Sequence, residues 1–260
     1  MKKVIIIVLA IILVVCVFIG YREYIFKKYM YEKPDNVEDI VKGLKERHKI
    51  KVKKQNKQEE EFLAFDGYTI RNDFKDYERV IENPNSAVQY YNYEKEVDGK
   101  KYTINFGMEK GEFDHYQYID LFKTQEATFY GDDTSSIEKI YNSIDKGKFL
   151  KRNNINNDID FLKFIADNYY IENDRFMSRS VMRENYAFNV FVDITIPKVD
   201  EFVIIDGDYQ GYILKNINGK NQVTQISIIQ DGKVYGIFTN DPKFKNEDYI
   251  IDLIGTINIL

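Results

Sequence analysis

The pattern of apolar and polar positions divides the chain into a short hydrophobic segment and a long mixed remainder. The hydrophobic segment is an unbroken apolar run from Val4 to Ile19. At a rise of about 1.5 Å per helical residue, the run covers roughly 25 Å, near the short limit for crossing the hydrocarbon core of a bilayer. We therefore predict a membrane anchor helix over residues 1–33, which ends before Pro34 because proline disfavours helical geometry in the residue before it.

Three fates of this segment are open. It can remain as an uncleaved signal anchor, be removed as a secretory signal, or be processed as a lipoprotein signal with Cys16 as the lipidated residue. No pair of small residues with signal-cleavage spacing follows the apolar core, and Val15 stands where a lipoprotein signal carries a small residue. We expect the uncleaved anchor.

The orientation of the anchor follows from its flanks. Lys2 and Lys3 precede the run and four basic residues follow it by position 33, so the positive-inside count is nearly balanced. A very short leader stays easily in the cytoplasm, and a long following domain is exported largely regardless of its charge. The abundance of Lys, Asn, Ile and Tyr is typical of AT-rich bacterial genomes. We expect a single-pass protein of a bacterial cytoplasmic membrane with its C-terminal domain outside.

Residues 34–260 predict an extracytoplasmic α+β domain of antiparallel hairpins flanked by helices. Asp-Gly pairs at 66–67, 98–99 and 231–232 separate β-prone segments, and each predicts a hairpin because such turns need positive φ. A parallel doubly wound sheet is disfavoured, since strands do not alternate singly with helices.

The remaining elements follow from helical or alternating spacing of apolar residues. Helices are predicted over about 36–47, 135–145 and 158–170 and from near Asn246. Strands are predicted over 49–54, 190–196, 202–205 and 212–217, and a further hairpin over 113–122 and 126–130. Residues 173–187 carry no clear pattern. The polar, Asn-rich stretch 148–158 is the predicted place for a subdivision of the domain.

Charge and cysteine content exclude several classes of protein. The net charge is −5, and the basic residues concentrate before position 58, so the rest of the domain is strongly acidic. A nucleic-acid binder should show a basic stripe, so we predict no nucleic-acid partner. The basic stretch from Lys45 to Lys57 predicts a solvated strand edge and loop, with contact to anionic lipid or wall polymer as the alternative. Cys16 is the single cysteine, which excludes a disulfide framework.

Candidate chemistry is sparse. The two histidines are His48, expected to be exposed, and His115, expected to be a core or partly exposed side chain. Asp206–Gly211 resembles a calcium-binding loop, but Ile217 stands where the bidentate Glu belongs, so a turn is predicted. The sequence contains no Gly-x-Ser-x-Gly elbow, no His-Glu-x-x-His motif and no Walker-type or Rossmann glycine loop. We therefore predict no catalytic, cofactor-binding or metal-binding residues and no cofactor.

Aromatic residues suggest a further reading of one strand. Tyr90, Tyr91 and Tyr93 cluster in the first strand of the second hairpin, and tyrosine is enriched at interfaces. Core packing of these rings is the favoured interpretation.

The end of the chain, a hairpin and a helix with Val234–Thr239 leading into it, resembles in layout the end of photosystem-subunit-like domains of exported bacterial proteins. This resemblance implies an antiparallel sheet flanked by helices and assigns no residue a role.

These observations favour a membrane-anchored extracytoplasmic binding or interaction protein over an enzyme. The partners expected are the membrane, through the single helix, and a protein or cell-envelope component. Two alternatives remain open. One is a cell-envelope enzyme, a hydrolase that uses carboxylates, and the other is an accessory subunit of a membrane complex.

Overall fold

Among the elements that the structure describes after residue 47, six strands come first, five helices follow, and four further strands precede the last helix and a short final strand. The strands are β1 His48–Val52, β2 Phe62–Phe65, β3 Tyr68–Arg71, β4 Glu78–Val80, β5 Tyr91–Val97, β6 Lys100–Met108, β7 Glu201–Gly207, β8 Gln210–Asn216, β9 Val223–Gln230, β10 Lys233–Thr239 and β11 Asn258–Ile259. The helices are α1 Tyr118–Thr124, α2 Ser135–Asn142, α3 Lys146–Arg152, α4 Asp158–Asp167, α5 Arg179–Thr195 and α6 Glu247–Gly255. A 3-10 helix, η1, spans Pro242–Lys245. The computed structural model describes residues 10–18, 20–21, 42–55, 61–65, 67–80, 91–108, 118–126, 135–173, 177–196, 199–216, 222–230 and 233–260.

The strands form two sheets. The large sheet has eight strands in the order β1-β7-β8-β9-β10-β6-β5-β4, and a three-stranded sheet has the order β11-β3-β2. The pair β1–β7 is parallel, and the other neighbouring pairs are antiparallel. The predicted α+β class is confirmed. The parallel pair at one edge is an addition that hairpin signals in the sequence do not reveal.

Both faces of the large sheet are covered at its centre. Phe202 and Ile204 of β7 belong to a core shared with α1–α5, which we call the helical-side core. Val203 and Ile205 belong to a second core shared with α6 and the small sheet, which we call the α6-side core. Successive side chains of a strand point to opposite faces, so β7 must be apolar on both sides, and it reads as a continuous apolar run.

All three Asp-Gly hairpins are confirmed as the pairs β2–β3, β5–β6 and β9–β10. Asp98 and Gly99 adopt φ angles of 52° and 71°, the left-handed conformations that this type of two-residue turn requires. The strands expected over 49–54, 202–205 and 212–217 are confirmed as β1, β7 and β8, and the helix expected from near Asn246 is confirmed as α6. The helix expected over 36–47 lies mainly outside the described residues, which show helix from 42 to 45.

The hairpin expected over 113–122 and 126–130 is wrong where the structure describes it, because Tyr118–Thr124 is the helix α1. Tyr118 and Phe122, four residues apart, both enter the helical-side core. The backbone amides of Tyr118 and Ile119 donate to the Asp158 carboxylate at 3.0 and 2.9 Å, which satisfies free donors in the first turn. A partner that lies 40 residues away along the chain thus starts this helix.

The strand expected over 190–196 is also wrong, because Arg179–Thr195 forms the single helix α5. Ser178 caps it by accepting a hydrogen bond from the amide of Val181 at 3.3 Å. Phe188, Phe191 and Val192 recur at helical spacing and are fully buried in the helical-side core. Tertiary packing of this stripe outweighs the β propensity of its Val, Phe and Ile residues.

The Asn-rich stretch 148–158 contains more structure than a linker. It begins inside α3, passes through a short loop and reaches the first residue of α4. Phe149 and Leu150 are buried in the helical-side core together with residues of α4 and α5. The predicted subdivision at this stretch stays a prediction. The helices expected over 135–145 and 158–170 are present and end earlier, at Asn142 and Asp167.

The N-terminal run is described at residues 10–18, 20 and 21, where the backbone is helical and the side chains are exposed. Within the part of the chain that the structure describes, no helix reaches the length and apolar character of a membrane span. The beginning of the predicted anchor, and its continuation from position 22 to 33, lie outside the described residues.

Candidate functional site

Polar side chains collect at one end of the large sheet. Strand register aligns Glu201 with Lys215, Lys215 with Thr224, and Thr224 with Thr239, in one row across β7, β8, β9 and β10. The next row on the same face is Val203, Ile213, Ile226 and Ile237, which is buried in the α6-side core. We call the polar row, with His48 at one end and Asp241 and Lys95 at the other, the polar edge.

Asp241 organises one end of the polar edge. It follows β10, is only 4% exposed, and accepts a 2.8 Å hydrogen bond from the amide of Lys243, which caps η1. Its Oδ2 also accepts from the hydroxyl of Tyr77 and lies 3.4 Å from Nζ of Lys95. The same Nζ is 3.1 Å from Oδ2 of Asp76 and 4.3 Å from the centre of the Tyr77 ring. One ammonium group is thus held between two carboxylates and an aromatic face.

The electrostatics of this group fix the proton positions. Burial, and then the hydrogen bond and negative charge of Asp241, raise the pKa of Tyr77 far above its ordinary value, so its hydroxyl stays protonated and donates. For Asp76, burial acts to raise the pKa, but the hydrogen bonds and the positive charge of Lys95 outweigh it and lower the pKa. Asp76 is therefore a carboxylate and a poor general acid.

A cavity of about 470 Å³ opens beside Lys95 at the edge of the sheet formed by β4, β5 and β6. Its lining consists of Asp76, Glu78, Val80, Glu94, Lys95, Glu96 and Lys101. Within it, Lys101 pairs with Glu94 at 2.7 Å and Lys95 pairs with Asp76. Four carboxylates face two ammonium groups, so the lining has a net negative charge.

His48 stands at the other end of the polar edge, where β1, β7 and α6 meet. Its Nε2 is 2.5 Å from Oε2 of Glu247, and its Nδ1 is 3.8 Å from Oε1 of Glu201. Oε2 of Glu201 in turn lies 2.8 Å from Nζ of Lys215, a side chain only 3% exposed. The expectation of an exposed His48 is confirmed, since 42% of its side chain is accessible. The expectation missed the two acidic neighbours, which are far away in the sequence.

A third polar group is buried between the sheet and the helices. Asp158 caps α1, and its Oδ2 also accepts from the hydroxyl of Tyr212 at 2.9 Å. The hydroxyl of Tyr118 donates to Gln225 at 3.3 Å. Burial raises the pKa of Asp158 to about 6, although hydrogen bonds from Ile119, Tyr118 and Tyr212 oppose the shift. The group joins α1, α4 and the sheet, which indicates a structural role.

Other sequence-predicted features have plain structural explanations. Asp206–Gly211 contains the turn between β7 and β8, at residues 208–209, which confirms the predicted turn, and Asp208 accepts from the amide of Lys54 at 2.8 Å. Gly207, at the end of β7, adopts a φ of 113°, a conformation that glycine allows and that residues with a side chain rarely adopt. The core interpretation of Tyr91 and Tyr93 is confirmed, because both pack against the α6-side core. β1 is the edge strand of the large sheet with Lys49 and Lys51 exposed, as predicted, whereas His115 and Tyr90 lie outside the described residues.

Comparison with known protein families and with curated proteins finds no match for this chain.

Proposed function

We propose that this chain is a membrane-anchored binding protein whose folded domain, from residue 34 onward, lies outside a bacterial cytoplasmic membrane. The single observation that carries the anchoring is the uninterrupted apolar run from Val4 to Ile19. The exposure of the helical residues 10–18 agrees with it, since apolar side chains that pack on no core need another apolar environment.

Binding is favoured over catalysis by the roles of the buried acids. Among the described residues, the buried acidic side chains are Asp158, Glu184 and Asp241. Asp158 and Asp241 cap helices, and Glu184 pairs with Arg152 and accepts from Ser180. The hydrogen bonds and ion pairs of all three buried acids therefore indicate structural roles. The lining of the cavity beside Lys95 has a net negative charge, which suits recognition of a positively charged segment of a partner.

A carboxylate-based hydrolase is the second candidate, and the same cavity supports it. Asp76, Glu78, Glu94 and Glu96 line one opening, and paired carboxylates are the usual acid and nucleophile or base of glycoside hydrolysis. The ion pairs of Glu94 with Lys101 and of Asp76 with Lys95 weaken this candidate, because a general acid needs a raised pKa.

Protease treatment of intact and lysed bacteria tests the topology. The full-length chain should sediment with membranes, and added protease should digest the domain in intact cells. A chain that is soluble, or that protease reaches only after lysis, would contradict the proposal.

A photo-crosslinking side chain placed at Glu96 then tests the binding surface, with Lys233, an exposed residue at the start of β10, as the control position. We expect an adduct from position 96 that is absent from position 233. Equal adducts at both positions would argue against recognition at the cavity. A purified chain that hydrolyses envelope glycans and loses this activity in Glu94→Gln would establish the hydrolase instead.

A further inference from the structure

We propose that His48, Glu201 and Glu247 form a binding site for one divalent transition-metal ion of the zinc type. This site is separate from the cavity beside Lys95, and it depends neither on binding at that cavity nor on the membrane topology.

The three side chains come from three different elements and converge at one point. His48 begins β1, Glu201 begins β7 and Glu247 begins α6. One ligand atom from each of them lies within 4.8 Å of the others. Ligands of a tetrahedral zinc ion at about 2.0–2.1 Å from the metal stand roughly 3.4 Å apart, so small side-chain rotations bring all three into range.

The backbone beneath the three residues is well fixed. The parallel register places His48 opposite Val203, two residues along β7 from Glu201. Helix α6 begins at Glu247 and buries Ile250, Leu253 and Ile254 in the α6-side core. Only the side chains must move to close around an ion. Preorganisation of this kind lowers the entropic cost of binding.

Lys215 prepares Glu201 to act as a ligand through one oxygen. Its ammonium group holds Oε2 of Glu201 at 2.8 Å, while Oε1 is the atom that faces His48. Metal-ligating carboxylates are commonly oriented by such an outer hydrogen bond. Lys215 of the polar edge thus orients Glu201, one of the three proposed metal ligands, from outside the site.

The chemistry of the ligand set selects the class of metal. One imidazole and two carboxylates suit Zn²⁺, Co²⁺ or Ni²⁺, whereas Ca²⁺ and Mg²⁺ prefer an all-oxygen shell. The side chains of His48, Glu201 and Glu247 are 42%, 28% and 34% exposed, so an ion can reach them from solvent. Three protein ligands leave a fourth tetrahedral position for water.

Calorimetric titration of the full-length, tag-free chain in detergent with ZnCl₂ tests the site. We expect one Zn²⁺ per chain and a loss of affinity of about tenfold or more in each of His48→Gln, Glu201→Gln and Glu247→Gln. His115→Gln is the matched control, because His115 is the only other histidine. It should bind as the unchanged chain does. With CoCl₂, the unchanged chain and His115→Gln should show the intense visible absorption of a tetrahedral cobalt site. The three ligand variants should not show it.

Far-UV circular dichroism of each variant separates loss of the metal from loss of the fold, and the partly exposed His48 makes its variant the safest to interpret. The proposal is overturned by absence of Zn²⁺ binding at 100-fold excess over the chain, by binding that persists in folded His48→Gln, or by equal loss in His115→Gln. Competition by Ca²⁺ or Mg²⁺ at equal concentration would refute the assigned metal class.

Discussion

Removal of the Asp241 carboxylate should destabilise the domain more than removal of any exposed acid on the same sheet edge. Asp241→Ala deletes the acceptor of the buried Tyr77 hydroxyl and the cap of η1. A hydrogen bond to a charged acceptor contributes about 1.5–3 kcal/mol, and a helix cap contributes about 1 kcal/mol. Lys95 keeps its ion pair with Asp76, so the variant removes only one of the two carboxylates that contact this ammonium group. We expect a decrease of about 2.5–4 kcal/mol in the free energy of unfolding from these two losses, a large share of the typical stability of about 5–15 kcal/mol.

Asp76→Ala is the matched control, because it removes the other carboxylate bound to the same ammonium group. The Asp76 side chain is 59% exposed and that of Asp241 is 2% exposed. An exposed ion pair contributes about 1 kcal/mol or less, so the control should lie well below Asp241→Ala.

Urea unfolding followed by circular dichroism measures both variants, since the chain has no tryptophan for fluorescence. Tyr77→Phe adds a double-mutant cycle. It should cost less in the Asp241→Ala background than alone, because the hydroxyl there has already lost its acceptor. Equal destabilisation by Asp76→Ala and Asp241→Ala, or strict additivity with Tyr77→Phe, would refute the assigned role of the buried carboxylate.

Three further predictions concern other parts of the chain. Burial raises the pKa of Asp158 to about 6. An aspartate in the unfolded chain has a pKa of about 3.9, so between the two pKa values the folded state binds a proton that the unfolded state has released. The free energy of unfolding, relative to Asp158→Asn, should therefore fall by up to about 3 kcal/mol as the pH rises from about 4 to about 6. Urea unfolding over this pH range checks it, and a pH-independent difference would contradict it. Gly211→Ala places a Cβ 2.0 Å from the carbonyl oxygen of Ser227, so it should lower the melting temperature and reduce the free energy of unfolding by more than about 2 kcal/mol. The control Gly147→Ala, in α3, should leave the free energy of unfolding unchanged or raise it by up to about 1 kcal/mol. Under the proposed anchoring, Ile12→Lys adds about 2.5–3.5 kcal/mol to membrane insertion and should reduce the fraction of chain that sediments with membranes, while Ile12→Leu should not.

The sequence predicts the elements whose signals are local. Asp98 and Gly99 adopt the positive φ angles that a two-residue hairpin turn needs. These two residues, with the alternation of apolar and polar residues on either side, are enough to predict the hairpin. The same is true of α6, which Asn246 caps by accepting from the amides of Asp248 and Tyr249. By contrast, α1 depends on Asp158, a distant residue in the chain, and α5 carries β-prone residues that only the helical-side core makes helical. Local reasoning therefore fails where long-range contacts decide the conformation.

The candidate sites lie further beyond sequence reasoning, because strand register creates them. Glu201, Lys215 and Thr224 become neighbours only when β7, β8 and β9 pair in one particular alignment. A shift of one residue would send every side chain of a strand to the opposite face. The buried row of Val203, Ile213 and Ile226 prevents that shift, since it must remain in the α6-side core. The buried apolar residues thus determine the positions of the polar ones, and His48 meets Glu201 and Glu247 because Ile50, Val203 and Ile250 pack in the α6-side core.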